Sequence, residues 1–115
     1  MRQTSNLLVD IVNNCRLISD LLGTYNQNQF AARVHDQAAL VHYITNIGEA
    51  VKQLPSEWKD EHQSIPWSKI GRIRDHLVHR YFDIDQDLLW DIATRDIPEL
   101  YKYLAPLVSS LFQEG

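Results

Sequence analysis

The sequence predicts an all-α protein, an antiparallel bundle of four to five helices joined by short loops. Three observations carry that expectation. Apolar side chains recur at helical spacing along each long segment. Glycine and proline number only four each in 115 residues, too few for a β-rich fold with many turns. No segment alternates over strand length, and there is no internal repeat or low-complexity tract.

The first helix is expected over residues 5 to 22, where positions 8, 11, 15, 18 and 22 form an apolar stripe and Thr4 or Ser5 is the candidate cap. The run GTYNQNQ breaks it, and Phe30 in the connection is expected to plug the core from a short helical turn. A second long helix runs from about Asp36 to Leu54, burying Ala39 or Ala38, Val41, Ile44, Ile47, Val51 and Leu54. Gly48 interrupts that stripe at a cost of about 1 kcal/mol against alanine, which points to a close helix–helix approach there. Pro55 closes the helix, and SEWKDEHQS reads as a polar connection.

A third helix opens at SIPW, with Ser64 as candidate cap and Pro66 in the tolerant first turn. It carries Ile70, Ile73 and Leu77 inward and ends near His79 to Tyr81. Asp85 can cap a fourth helix holding Leu88, Leu89, Ile92 and Ala93. Asp96 followed by Ile97 and Pro98 repeats the cap-then-proline signature for a fifth. That helix presents Leu100, Leu104, Leu107, Val108 and Leu111, with a kink expected at Pro106. Trp58, Trp67 and Trp90 are read as core or interface residues, and His35, His42 and His62 form no pattern.

Composition sets the outer limits. A chain of 115 residues, 44% apolar and 23% charged, is one soluble globular domain with a core of its own. A single cysteine, Cys15, excludes an internal disulfide framework and a multi-cysteine zinc site, and fits a reducing cytoplasm. The start MRQTSNLLVDIVNN has polar breaks every few residues, so it reads as neither a signal peptide nor a membrane span. The net charge of −4 argues against a broad nucleic-acid-coating surface but leaves room for a local basic patch.

That patch is residues 69 to 80. Lys69, Arg72, Arg74 and Arg80 against one carboxylate, Asp75, give the window +3 in an acidic chain. His76 and His79 add to it on protonation. Such a window attracts phosphate. Arginine presents a planar fork of donors to phosphate oxygens, and histidine exchanges protons near neutrality. Together they can cleave RNA without a metal. One imidazole takes the ribose 2′-hydroxyl proton, another protonates the leaving 5′-oxygen, and arginine stabilises charge growing on phosphorus. The reaction needs two proton-transfer groups; the motif supplies one well-placed histidine, and the second comes from the neighbouring chain of a symmetric dimer or from His76.

Geometry limits this reading. Five helical steps separate Arg74 from His79, which places them on different faces of a continuous helix. Either the helix loosens near its end, or the two meet across a dimer seam. Structural roles are equally open from the residues alone. Arg74 can pair with Asp75 or with a fourth-helix aspartate, His79 can cap its helix, and Tyr81 and Phe82 can be core aromatics. His76 and His79 at i, i+3 lack a third metal ligand at any standard spacing.

RDHLVHRY resembles the arginine, four residues, histidine, any residue, tyrosine pattern of the HEPN superfamily, and specifically of the HepT-type toxins. NIGEAVKQL at 46 to 54 is similar to the family's second-helix signature. IPWSKIGRIRDHLVHRYFDID resembles the approach to and exit from the motif, and LLWDIATRDIPEL its C-terminal continuation. The similarity runs in order from roughly residue 5 to residue 110. It implies an all-helical homodimer in which two motifs line one cleft, and a metal-independent endoribonuclease activity without a cofactor. By resemblance, Arg74 and His79 are the catalytic pair, with Arg72, Asp75, His76 and Arg80 as candidate supporting groups. The resemblance also implies a toxin whose antitoxin is a cognate minimal nucleotidyltransferase of the MntA type, which moves AMP from ATP onto Tyr81. The aspartates at 83, 85 and 87 would stay outside the cleft or contact that partner. Related helical proteins act instead as non-catalytic partners or substrate-binding subunits of nucleotidyltransferases, the alternative reading. Where the family pattern often has asparagine after the motif arginine, this chain has Asp75, which can orient Arg74 or His79 and weakens the local positive field.

Overall fold

The computed structural model describes residues 3–79 and 85–113, all helix or connection with no strand among them. Helix α1 spans Thr4–Leu22, α2 Gln27–Ala31, α3 Val34–Gln53, α4 Ser56–Asp60, α5 Trp67–His79, α6 Gln86–Asp91 and α7 Ile97–Gln113. Between α6 and α7, residues Ile92–Asp96 form a π turn. Helix α3 packs on both α1 and α5, and α1 packs also on α7. Gly48 of α3 faces Arg74 of α5, and Lys52 faces Gly71, so the two helices run in opposite directions.

The core follows the apolar stripes. Leu8, Ile11, Cys15, Ile18 and Leu22 of α1 are all buried, as the spacing requires. On α3 the buried set is Leu40, Ile44, Ile47, Gly48, Ala50 and Val51, with Leu54 just beyond the helix. Leu40 therefore takes the place expected for Ala38 or Ala39, and Val41 is only half-buried. The stripe 40, 44, 47, 51 is a regular 4-3-4 ladder, whereas an alanine contributes little area to bury. Phe30 sits in α2 and is 1% exposed, with its ring 5.8 Å from that of Trp90. Burial of Cys15 pushes its thiol up to about 12, which keeps it protonated and unreactive.

Several boundaries differ from expectation. Gln3, not Thr4 or Ser5, occupies the N-cap of α1, and its side chain makes no capping bond. The stretch read as polar connection contains α4, whose Trp58 stacks on His62 at 4.0 Å. His62 also meets the Tyr103 hydroxyl at 2.7 Å, and its carbonyl accepts from the Trp67 indole. Pro66 stands just before α5 rather than in its first turn, and Ser64 lies outside the helix.

The largest difference lies at Asp96. Helix α7 does begin at Ile97, as expected, but Asp96 does not cap it: the backbone stays helical at Ile92 and at Ile97, and the Ile97 amide reaches back to the Ile92 carbonyl. The wider turn gives Pro98 space, since its ring would crowd a carbonyl four residues back in a regular helix. The Asp96 carboxylate accepts from Lys69 of α5 instead of capping. At Asp85 the expectation holds, because its side chain accepts from the Asp87 and Leu88 amides. Helix α7 continues past Pro106 to Gln113. None of the helices described is long and apolar enough to cross a membrane.

Candidate active site

Helix α5 carries the basic motif, and its local order follows from its amphipathic sequence. Ile70 and Leu77 are buried, which turns Lys69, Arg72 and His76 outward at i, i+3 and i+7. Lys69, Arg72 and His76 line one wall of a groove of about 310 Å³ whose other wall is α6, with Asp85 at its edge. Among the described residues the Arg72 side chain has no ion-pair or hydrogen-bond partner. His76 is exposed.

Arg74 has a different environment. A Cβ added at Gly48 would lie 2.2 Å from the Arg74 Cβ and 2.9 Å from its Cγ, so only glycine lets α3 come this close. The close approach expected at Gly48 is thus the packing of α3 on the motif arginine. The stem is enclosed, and the side chain is 24% exposed. Its Nη2 donates to Glu49 of α3 at 3.4 Å, its Nη1 to Asp75 at 3.2 Å, and its Nε is buried without an acceptor. Asp75 also accepts from Lys52 of α3. The Lys52 ammonium, with the Arg74 guanidinium second, holds the Asp75 carboxyl below the usual carboxylate range. The Arg74–Asp75 contact is the structural pairing left open from the residues alone.

Helix α5 keeps its helical backbone through His79, so it does not loosen between the two motif positions. Five steps of about 100° leave positions 74 and 79 about 140° apart around the axis. The side chain of His79, together with Arg80, Tyr81, Phe82 and Asp83, lies outside the described residues. Of the remaining aspartates, Asp85 caps α6 and Asp87 accepts from Gln27 of α2 at 2.6 Å. Both have structural work within the chain.

Glu49 and Lys52 belong to the site and were not singled out from the sequence. Lys52 follows Gly48 by four residues, so any helix that approaches Gly48 closely also meets Lys52. The spacing carried that signal, but the identity of the approaching helix did not follow from it.

A family model described as Ribonuclease HepT-like matches residues 11–107. The chain belongs to this family. A probable ribonuclease HepT of Thermococcus cleftensis is 34% identical over 86% of the chain and 90% of its own length. A candidate RNase of Methanocaldococcus jannaschii is 31% identical over 90% of the chain and 86% of its own length. A candidate RNase of Caldanaerobacter subterraneus subsp. tengcongensis is 30% identical over 94% and 96%. No solved structure matches the chain. Membership of a HepT-like ribonuclease family agrees with the all-α HEPN-type fold and gives an endoribonuclease as the family's activity.

Proposed function

We propose that the chain is a metal-independent endoribonuclease and the toxin of a toxin–antitoxin pair, acting in the cytoplasm on RNA. The observation that carries the reading is Arg74, a motif arginine fixed against Gly48 whose guanidinium is incompletely satisfied by its own protein. An unmet buried donor costs about 1–3 kcal/mol, and the two carboxylate contacts beside it are long. A phosphate oxygen offers this fork a better acceptor than either carboxylate.

In the proposed reaction a histidine takes the proton of the ribose 2′-hydroxyl, and the oxygen attacks phosphorus. The P–O5′ bond breaks, a second imidazole protonates the departing 5′-oxygen, and a 2′,3′-cyclic phosphate remains. Arg74 stabilises the charge on the phosphoryl oxygens. Because helix α5 separates positions 74 and 79 around its axis, we assign the meeting of Arg74 with His79 to two chains of a homodimer. Arg72, His76 and Arg80 add positive potential, and Asp75 holds the guanidinium in place.

Silencing falls to Tyr81. A cognate nucleotidyltransferase antitoxin would direct the phenol oxygen onto the α-phosphorus of ATP, with pyrophosphate leaving. The resulting AMP-tyrosine puts a phosphate where RNA should bind. Two assays test the reading. Unmodified wild type, in EDTA, is expected to cut total cellular RNA, with His79→Ala about 10²–10⁴-fold slower; equal rates would overturn the mechanism. Incubation with the cognate transferase and ATP should add the mass of one AMP to wild type and none to Tyr81→Phe. An adduct on both variants would exclude Tyr81 as the acceptor.

A further inference from the structure

A second groove, of about 840 Å³, lies on the other side of α5, bounded by the end of α3, by α4 and by the loop leading to Trp67. It is unlike the rest of this acidic chain. Lys52, Lys59, Lys69 and Arg72 line it, against the carboxylates of Asp60 and Asp75. Lys52 and Lys69 are already paired, with Asp75 and Asp96. Among the described residues Lys59, whose ammonium reaches the Val51 carbonyl at 3.4 Å, has no ion pair, and neither has Arg72. Two cations without a carboxylate partner among the described residues thus stand on either side of the groove, one on α4 and one on α5, with the buried Val51, Ile65 and Trp67 beneath it.

We propose that this groove binds the ribose-phosphate backbone of single-stranded RNA, with Lys59 and Arg72 as phosphate ligands. The proposal rests on the ribonuclease reading and extends it to the strand beyond the cleaved bond. Separated cations on two walls suit a chain of phosphates better than one compact anion, which would need donors converging on a point. Continuity with the catalytic arginine comes through Lys52 and Asp75, since Asp75 lines the groove and accepts from Arg74. Arg72 also lines the opposite groove with His76, so the cationic ridge of α5 lies between the strand and the motif.

The test is fluorescence anisotropy with a 5′-labelled single-stranded RNA of about 12 nucleotides, on protein carrying His79→Ala to prevent cleavage. Lys59→Gln with Arg72→Gln is compared with Lys102→Gln on α7, which lies outside the groove. Thermal unfolding of each variant confirms that the fold is retained. The double variant is expected to bind roughly tenfold more weakly, with the slope of log K against log salt reduced by about 1.4 for two lost phosphate contacts. Lys102→Gln should bind like the parent. Parent-like binding by the double variant, with cleavage by wild type intact, would overturn the groove and leave the ribonuclease reading standing. Equal weakening by Lys102→Gln would reduce the effect to net charge and also overturn it. If wild type neither binds nor cuts RNA, the ribonuclease reading fails and the groove with it.

Discussion

Helix α3 has two neighbouring stripes built on opposite principles. One, Leu40, Ile44, Ile47 and Val51, belongs to a core in which every buried side chain of the described residues is apolar. The other, Gly48, Glu49 and Lys52, meets α5 through a missing side chain and a chain of charges running from Glu49 to Arg74, Asp75 and Lys52. The first stripe stabilises through area removed from water, which is tolerant of direction. The second fixes one guanidinium in one place. If Arg74 acts as proposed, stability resides mainly in the first contact and function in the second, so mutations should separate them.

The largest expected effect on stability is on the core stripe. Ile47→Ala, at a fully buried position, should cost about 2–5 kcal/mol in urea unfolding while the folded fraction still cuts RNA normally. Gly48→Ala should cost about 1–3 kcal/mol by overpacking, partly offset by about 1 kcal/mol of helix propensity. Its signature is in turnover, where a displaced Arg74 should slow cleavage by about 10²-fold. If Gly48→Ala is stable and fully active, the two stripes do not differ as described. Asp85→Ala should cost about 1 kcal/mol through the lost cap, without touching the α3–α5 contact.

Smaller still is Lys52→Met, which keeps the stem over Gly71 but removes a half-exposed ion pair. Unfolding should change by less than about 1 kcal/mol. Asp75 gives a pH-dependent version of the same comparison. Its carboxyl is held below its ordinary value in the fold, so its contribution is present above the unfolded carboxylate range and is lost as pH falls through the lower, folded value. The stability difference between wild type and Asp75→Asn should therefore hold from neutrality down to about pH 4 and close below it. A gap that widens on acidification would contradict this assignment of the charge network.

The core stripe was largely readable in the sequence, because periodicity reports burial directly. Even there, Leu40 was passed over for an alanine. Phe30 and the close approach at Gly48 were also readable, each as a residue type out of keeping with its surroundings. What escaped were contacts between distant residues. Glu49 and Arg74 are 25 positions apart and Lys52 and Asp75 are 23, and no local pattern encodes which helix will face which. Asp96 and Pro98 misled for a related reason. A carboxylate before a proline is a sound helix-start signal locally, but Lys69 claims the carboxylate and a π turn makes room for the proline.

On the proposed reading, the reaction centre takes Arg74 from one chain and His79 from another, because α5 continues as a helix between them. Co-expressing Arg74→Ala and His79→Ala chains under different affinity tags, and isolating the mixed dimer by tandem purification, tests this directly. Each variant alone should be inactive. The mixed dimer should recover close to half of wild-type RNA cleavage, because one of the two Arg74–His79 pairs is then intact and His76, unchanged in both chains, serves as the second imidazole. A mixed dimer as inactive as either parent, beside an active wild type purified the same way, would contradict it.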